Sequence, residues 1–233
     1  MTYRALATDY DGTIAHDGRV DDVTVEALRR LRARDVRLIM VTGRELTDLF
    51  NTFDYVDAFD RIVAENGAVL YTPATKDIDV LAPSPPGPFL EALNRQEIPM
   101  SVGHSIVATV EPYEHAVLAA IRDLGLEWHV IFNKGSVMAL PAEVTKAKGL
   151  APALEALGVS PKETIGIGDA ENDQAFLRFC GLAVAVDNAL QSVKEMADIV
   201  TAGARGAGVA ELIERWLAGD LESVMPDPAK HQG

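Results

Sequence analysis

Cysteine is nearly absent from this 233-residue sequence, with Cys180 standing alone. A single cysteine excludes an internal disulfide and any multi-cysteine zinc site, and its place after Phe179 in an apolar segment reads as core. Long apolar runs are missing too: none approaches the roughly 20 residues that span a bilayer. The N-terminus has no basic segment ahead of an extended apolar stretch, so no secretory signal is expected. These absences point to a cytoplasmic protein with no membrane partner. Basic residues are outnumbered, 21 Lys and Arg against 35 Asp and Glu, a formal net charge of −14. That balance argues against a nucleic-acid binder, whose backbone affinity comes from clustered Lys and Arg. A small anionic ligand stays compatible, provided a metal ion, a few basic side chains or helix N-termini make one pocket locally positive.

What is present is a strand–helix alternation. Short apolar runs at 5–8, 36–41, 61–64, 164–167, 182–186 and 199–200 read as strands. Between them, Val23, Ala27, Leu28 and Leu31 recur at helical spacing with Asp21 or Asp22 as N-cap. Segments 171–180, 190–197 and 209–217 also read as helices. Such alternation predicts an α/β fold, a parallel sheet covered by helices on both faces. It breaks in the middle. Residues 68–81 read as a hairpin, and Pro83, Pro85, Pro86 and Pro88 then form a linker-like cluster. Beyond it come a helix (89–95), a strand (106–110), a helix (113–124) and two strands around Asn133-Lys134-Gly135. The expected organisation is a discontinuous core, 1–82 and 145–233, with an inserted α+β cap at 83–144 and a frayed tail at 222–233.

Carboxylates cluster where strands end. Asp9 and Asp11 follow the first strand in DYDGT, Thr42-Gly43-Arg44 closes the second, and Gly168-Asp169 with Asn172 and Asp173 follows the strand at 164–167. Lys146 and Lys148 precede a helix. In an open parallel sheet these positions share one edge, where α/β folds bind ligands. Turn chemistry alone explains Asp9 and Asp11 as a pair; the other motifs change that reading. Asp9, Asp169 and Asp173 are hard oxygen donors suited to Mg²⁺, which would relieve their mutual repulsion and polarise a phosphoryl group. The Thr42 hydroxyl and backbone N–H groups suit phosphoryl oxygens, with Lys148 as a point charge. Asp9 is then placed as a carboxylate nucleophile and Asp11 as the proton carrier.

Four motifs in this order, DYDGT, the Thr of VTGR, the Lys of KGL and GDAEND, resemble the haloacid dehalogenase (HAD) superfamily of phosphohydrolases. AVAVDNAL at 183–190 resembles the segment after the last motif in Cof-like members, and the insertion resembles a type IIB cap on a Rossmann-like core. The resemblance implies Asp9 as nucleophile and Asp11 as general acid/base. It implies Mg²⁺ held by Asp9, the main-chain carbonyl of Asp11, Asp169 and Asp173, the last directly or through water. It assigns the phosphoryl group to Thr42, Gly43 and Lys148, with Asn172 orienting Lys148 or the substrate. Lys148 is favoured over Lys146 because it precedes Gly149, as the family pattern asks. Pro152, inside the following helix, departs from that pattern and bears on where the helix starts.

Other residues read more plainly. Arg44 either touches substrate or cap or pairs with an acid. His104, His115 and His129 show no metal-ligand spacing, although His104 can face the substrate, and Lys134 is a turn residue or a cap contact. Glu65-Asn66-Gly67 reads as a turn, Trp128 and Trp216 as packing residues. The expected activity is Mg²⁺-dependent hydrolysis of a small phosphorylated metabolite, phosphoglycolate or a sugar phosphate, by a monomer or homodimer through an aspartyl-phosphate. The alternatives are a sugar phosphomutase and a non-catalytic metabolite-binding protein on the same fold.

Overall fold

The computed structural model describes residues 3–133, 135–227 and 230. Its main sheet has eight strands, β1 (Ala5–Thr8), β2 (Arg37–Val41), β3 (Arg61–Ala64), β4 (Val69–Thr72), β5 (Asp77–Val80), β10 (Thr164–Gly168), β11 (Leu182–Ala185) and β12 (Ile199–Val200). Their order is β12-β11-β10-β1-β2-β3-β4-β5. Pairing from β12 through β3 is parallel, while the hairpin β4–β5 adds antiparallel to one side. The central strands are buried on both faces and therefore read as continuous apolar runs. Because β1 runs parallel between β2 and β10, the residues following all three emerge at one edge.

Helices α1 (Asp22–Arg32), α2 (Leu46–Thr52), α6 (Gln174–Phe179), α7 (Gln191–Met196) and α8 (Arg205–Leu217) follow these strands, while α5 (Lys146–Leu157) leads from the insertion back into β10. In α1, Asp21 is the cap, its side chain accepting from the Thr24 N–H at 2.7 Å. The inward stripe is Thr24, Ala27, Leu28 and Leu31, so Val23 belongs to solvent (72% exposed), contrary to the sequence reading. The helix expected over 171–180 is a 3₁₀ turn (Glu171–Asp173) and then α6, because the Asp173 side chain folds back onto the N–H groups of Asp169 and Ala170. Helix α8 starts four residues before the sequence suggests.

The tail is also more ordered than expected, as far as it is described. Asp220–Ser223 forms a 3₁₀ turn, the Asp227 N–H bonds Asp198 at 3.0 Å, and Lys230 Nζ bonds the Ala197 carbonyl at 2.7 Å.

The insertion forms its own sheet, β6 (Ser101–Val102), β7 (Val107–Val110), β8 (Trp128–Asn133) and β9 (Ser136–Pro141), antiparallel in the order β6-β7-β9-β8. Strand β6 was not read from the sequence. Helices α3 (Gly87–Asn94) and α4 (Glu114–Asp123) pack on one face through Phe89, Leu93, Val117, Ile121, Val107 and Val137. Period-2 alternation sends Ala108 and Met138 to the other face, where Ile106, Met138 and Leu140 join the core of the main sheet.

Candidate active site

Asp9 directly follows β1, and its N–H donates to the Ile167 carbonyl at 3.0 Å, seating it beside Gly168-Asp169. Its side chain is buried. Lys146 Nζ, also buried, donates to Asp9 Oδ1 at 2.6 Å and to Asp173 Oδ1 at 2.5 Å. Asp173 Oδ2 accepts the N–H groups of Asp169 and Ala170, both at 2.9 Å, and Thr13 Oγ1 donates to Asp169 Oδ1 at 3.1 Å. Carboxylate oxygens of Asp9, Asp169 and Asp173 lie within 4.8 Å of one another. Burial pushes the Asp9 carboxyl up to about 8; Asp173 and Asp169 push the same way and Lys146 opposes them. Burial works against the Lys146 charge, but Asp173 and Asp9 outweigh it and hold the ammonium well above the ordinary lysine range. Asp9 Oδ2 is buried with no hydrogen-bond partner, a costly state for a carboxylate oxygen.

The lysine at the cluster is Lys146, and this corrects the expectation of Lys148. Thr145 caps α5, its hydroxyl accepting from the Lys148 N–H at 3.2 Å, which makes Lys146 the first helical residue. Lys146 then shares the buried stripe of Gly149, Leu150, Ala153 and Leu154. Gly149 lets α5 approach so closely that a Cβ there would sit 2.5 Å from the Gly67 Cα. Lys148 falls on the outer face, 58% exposed and paired with Glu143. Pro152 lies inside the helix without displacing its start; it withholds only the N–H that the Lys148 carbonyl would have accepted.

Thr42 is buried at the end of β2 with its hydroxyl accepting from the Arg44 N–H at 3.1 Å. Arg44 pairs with an acid. Its Nε and Nη2 hold the two Asp11 oxygens at 2.7 and 2.8 Å, and its Nη1 reaches Asp48 at 2.7 Å. Asp11 is thus fixed through a bidentate fork. Asn172 contacts Asn66 Oδ1 at 3.0 Å, so the expected contact with Lys148 is replaced by one with the strand-end turn after β3. Sequence reasoning missed Asn66, which takes a left-handed φ of 55°. It also missed Asn188, which donates to the Gly12 carbonyl at 2.8 Å and accepts from the Arg205 N–H at 2.7 Å. The signals were an Asn-Gly directly after a strand, and a lone Asn in AVAVDNAL.

Above the cluster lies a cavity of about 390 Å³. Its core wall includes Asp9, Asp11, Gly43, Arg44, Lys146 and Asn172. The cap contributes Ser101, Ile106, Ala108, Asn133, Ser136 and Met138. Four carboxylates, of Asp9, Asp11, Glu45 and Asp48, face two cations, of Arg44 and Lys146. Among the described residues His104, His115 and His129 join no metal-type cluster, and Lys134 lies outside the described residues.

Residues 6–85 and 107–213 match the family described as haloacid dehalogenase-like hydrolase. The chain belongs to that family. It is 33% identical over 225 residues to a phosphoglycolate phosphatase of Methanothermobacter thermautotrophicus, covering 92% of this chain and 99% of the relative. A haloacid dehalogenase-like hydrolase from Bacteroides thetaiotaomicron has the same fold (TM-score 0.78, 21% identity, 92% of this chain and 100% of that one). So has a HAD subclass IIB sugar phosphatase (TM-score 0.73, 20% identity, 91% and 98%), which agrees with the type IIB cap expected from the sequence. Among the described residues no helix is long and apolar enough to cross a membrane.

Proposed function

We propose that this hydrolase cleaves small phosphomonoesters, 2-phosphoglycolate foremost, with Mg²⁺ as cofactor and Asp9 as nucleophile. The observation that carries this reading is the buried Lys146–Asp9–Asp173 array at the floor of a cavity walled by core and cap. The 33%-identical phosphoglycolate phosphatase supports the choice of substrate. The donor set fits a hard divalent cation: Asp9 Oδ2 is orphaned, Asp169 lies beside it, and a phosphate dianion entering an acidic cavity needs added positive charge. Asp9, Asp169 and the Asp11 main-chain carbonyl would hold the ion. Asp173, whose oxygens already accept from Lys146 and two N–H groups, would act through water. When bound, Mg²⁺ supplies charge neutralisation and polarises the phosphoryl oxygens.

The protein's own residues do the rest. Thr42, Gly43 and Lys146 bind and orient the phosphoryl group. Asp9 attacks phosphorus and becomes the aspartyl-phosphate while Asp11, released from the Arg44 fork and protonated from solvent, gives that proton to the leaving oxygen. Asp11 then takes a proton from water, which releases phosphate and restores Asp9. Arg44, the guanidinium at the cavity wall, is placed to meet the carboxylate of the glycolate leaving group. A second reading, a sugar phosphate, is favoured by the neutral polar cap wall of Ser101, Asn133 and Ser136.

The test is phosphate release from 2-phosphoglycolate and hexose phosphates with and without Mg²⁺. Mg²⁺-dependent release, preferring phosphoglycolate, is the expected result. Conversion of a hexose phosphate to its isomer without free phosphate would instead identify a mutase, and binding without turnover a non-catalytic protein.

Metal binding carries a pH signature. The Asp9 carboxyl is raised to about 8, so below that pH an entering cation must displace a proton. Mg²⁺ affinity is expected to strengthen by up to about tenfold per pH unit from 6 to 8 and to level off above. Calorimetric titration across that range, in buffers of differing ionisation enthalpy, should register up to one proton released per ion at the low end. A flat affinity profile would contradict this.

A further inference from the structure

The turn after β3 contains a carboxylate that the proposed reaction does not use. Glu65 belongs to the core, yet its side chain is wholly buried against the cap. Glu65 Oε1 accepts the His104 N–H at 2.9 Å and lies 3.1 Å from His104 Nδ1; Oε2 accepts the Ser105 and Ile106 N–H groups at 2.8 and 3.1 Å. Three successive backbone N–H groups thus wrap one carboxylate, a backbone anion nest. Room for it is made by Gly103, where a Cβ would stand 2.6 Å from Glu65 Oε1. Glu65 and Asn66 both take left-handed φ values, 51° and 55°, a conformation that non-glycine residues hold only where surrounding contacts enforce it. Enforcement comes from the phosphoryl-binding turn: the Glu65 N–H donates to the Arg44 carbonyl and the Asn66 N–H to the Thr42 carbonyl, both at 3.0 Å.

These contacts form one unbroken path. The turn at 42–44 holds the backbone of Glu65 and Asn66, Glu65 grips 104–106, and Ile106 and Ser101 form part of the cap wall over Asp9. Ser101 Oγ adds a bond to Glu45 Oε1 at 2.6 Å on the same side. We propose that Glu65 is a positioning residue, a core carboxylate that grips the cap's 104–106 backbone, sets the cap over the nucleophile and so governs leaving-group discrimination. The proposal rests on the phosphatase reading for its kinetic consequence and on geometry alone for the grip.

Two variants test it from opposite sides. Glu65→Gln replaces one acceptor oxygen by an amide donor facing N–H groups, and Gly103→Ala pushes on the carboxylate with its charge intact. Each is first checked for native circular dichroism. In both, kcat/KM for 2-phosphoglycolate should fall about tenfold or more, the order expected when a buried charged hydrogen-bond set is broken. For p-nitrophenyl phosphate, whose aryl group is no match for the cap wall, the loss should be at least about fivefold smaller. A residue that merely supported the fold would depress both substrates alike. Hydrogen exchange supplies a readout independent of turnover. The 104–106 amides should be protected in the wild-type protein and exchange about tenfold or more faster in either variant. Equal losses on both substrates, or unchanged protection at 104–106, overturn the proposal. If the wild-type protein cleaves no phosphoester, the phosphatase reading fails while the exchange experiment still decides the grip.

Discussion

Asp9→Asn is expected to abolish turnover, by at least about 10³-fold in kcat, while leaving the fold intact or more stable, the size of loss that follows removal of a nucleophile. An amide cannot form the acyl phosphate, but it matches the carboxylate in shape and its Oδ1 still accepts from Lys146 Nζ. The stability half follows from the electrostatics. Asp9 is buried beside Asp173 and Asp169, which holds its folded-state carboxyl above the ordinary 3.8, at about 8. A group whose folded pKa is raised contributes its stability in the protonated form, and loses that contribution as pH rises from near 4 through 8. The wild-type protein without metal therefore carries a growing penalty across this window, and the asparagine does not. Thermal melts in EDTA should show the variant gaining on the wild type between pH 5 and pH 8, and Mg²⁺ should narrow the gap by stabilising the wild type alone. Residual turnover above about 1% would remove Asp9 from the nucleophile's role. A variant less stable than the wild type at pH 8 would show that Asp9 is needed to hold Lys146 in place.

The main sheet was legible because its strands are short apolar runs ending in chemically marked turns. Runs at 5–8, 61–64 and 199–200 coincide with β1, β3 and β12, and parallel order then forces Asp9, Thr42 and Asp169 to one edge. Signals that depend on a side chain folding back were not legible. Asp173 closes a 3₁₀ turn through two backbone N–H groups, and a helical pattern over 171–180 cannot reveal that break. Val23 fits the apolar stripe of α1 by type, but Thr24 fits it by phase. The cap was harder, since β6 has only two residues and its place comes from pairing with β7 across a loop that Glu65 holds. Nothing local marks Glu65 as more than a turn residue; its partners lie about forty residues away.

The lysines show how motif adjacency and helical phase diverge, and they yield an expected result of comparable size. Counting back from Gly149 by one residue reaches Lys148; counting back by three, along the face that packs on Gly67, reaches Lys146. The second count follows the geometry of a helix, in which residues three and four apart share a face, and Lys146 Nζ accordingly lies between Asp9 and Asp173. Lys146→Met should lower kcat/KM by about 10²-fold or more, since the phosphoryl group loses its fixed ammonium in a water-poor site. It should also destabilise the metal-free protein by about 3–5 kcal/mol at pH 8, the usual cost of leaving buried charge without its partner. Mg²⁺ should restore part of that stability, because neutralising the carboxylates needs positive charge from either source, but little of the activity. Lys148→Ala should leave kcat/KM within about twofold, as its exposed pairing with Glu143 is screened by water. Steady-state kinetics and thermal melts on the two variants decide between the lysines. A large loss at 148 with little at 146 would require α5 to begin two residues later, with Thr145 no longer its cap.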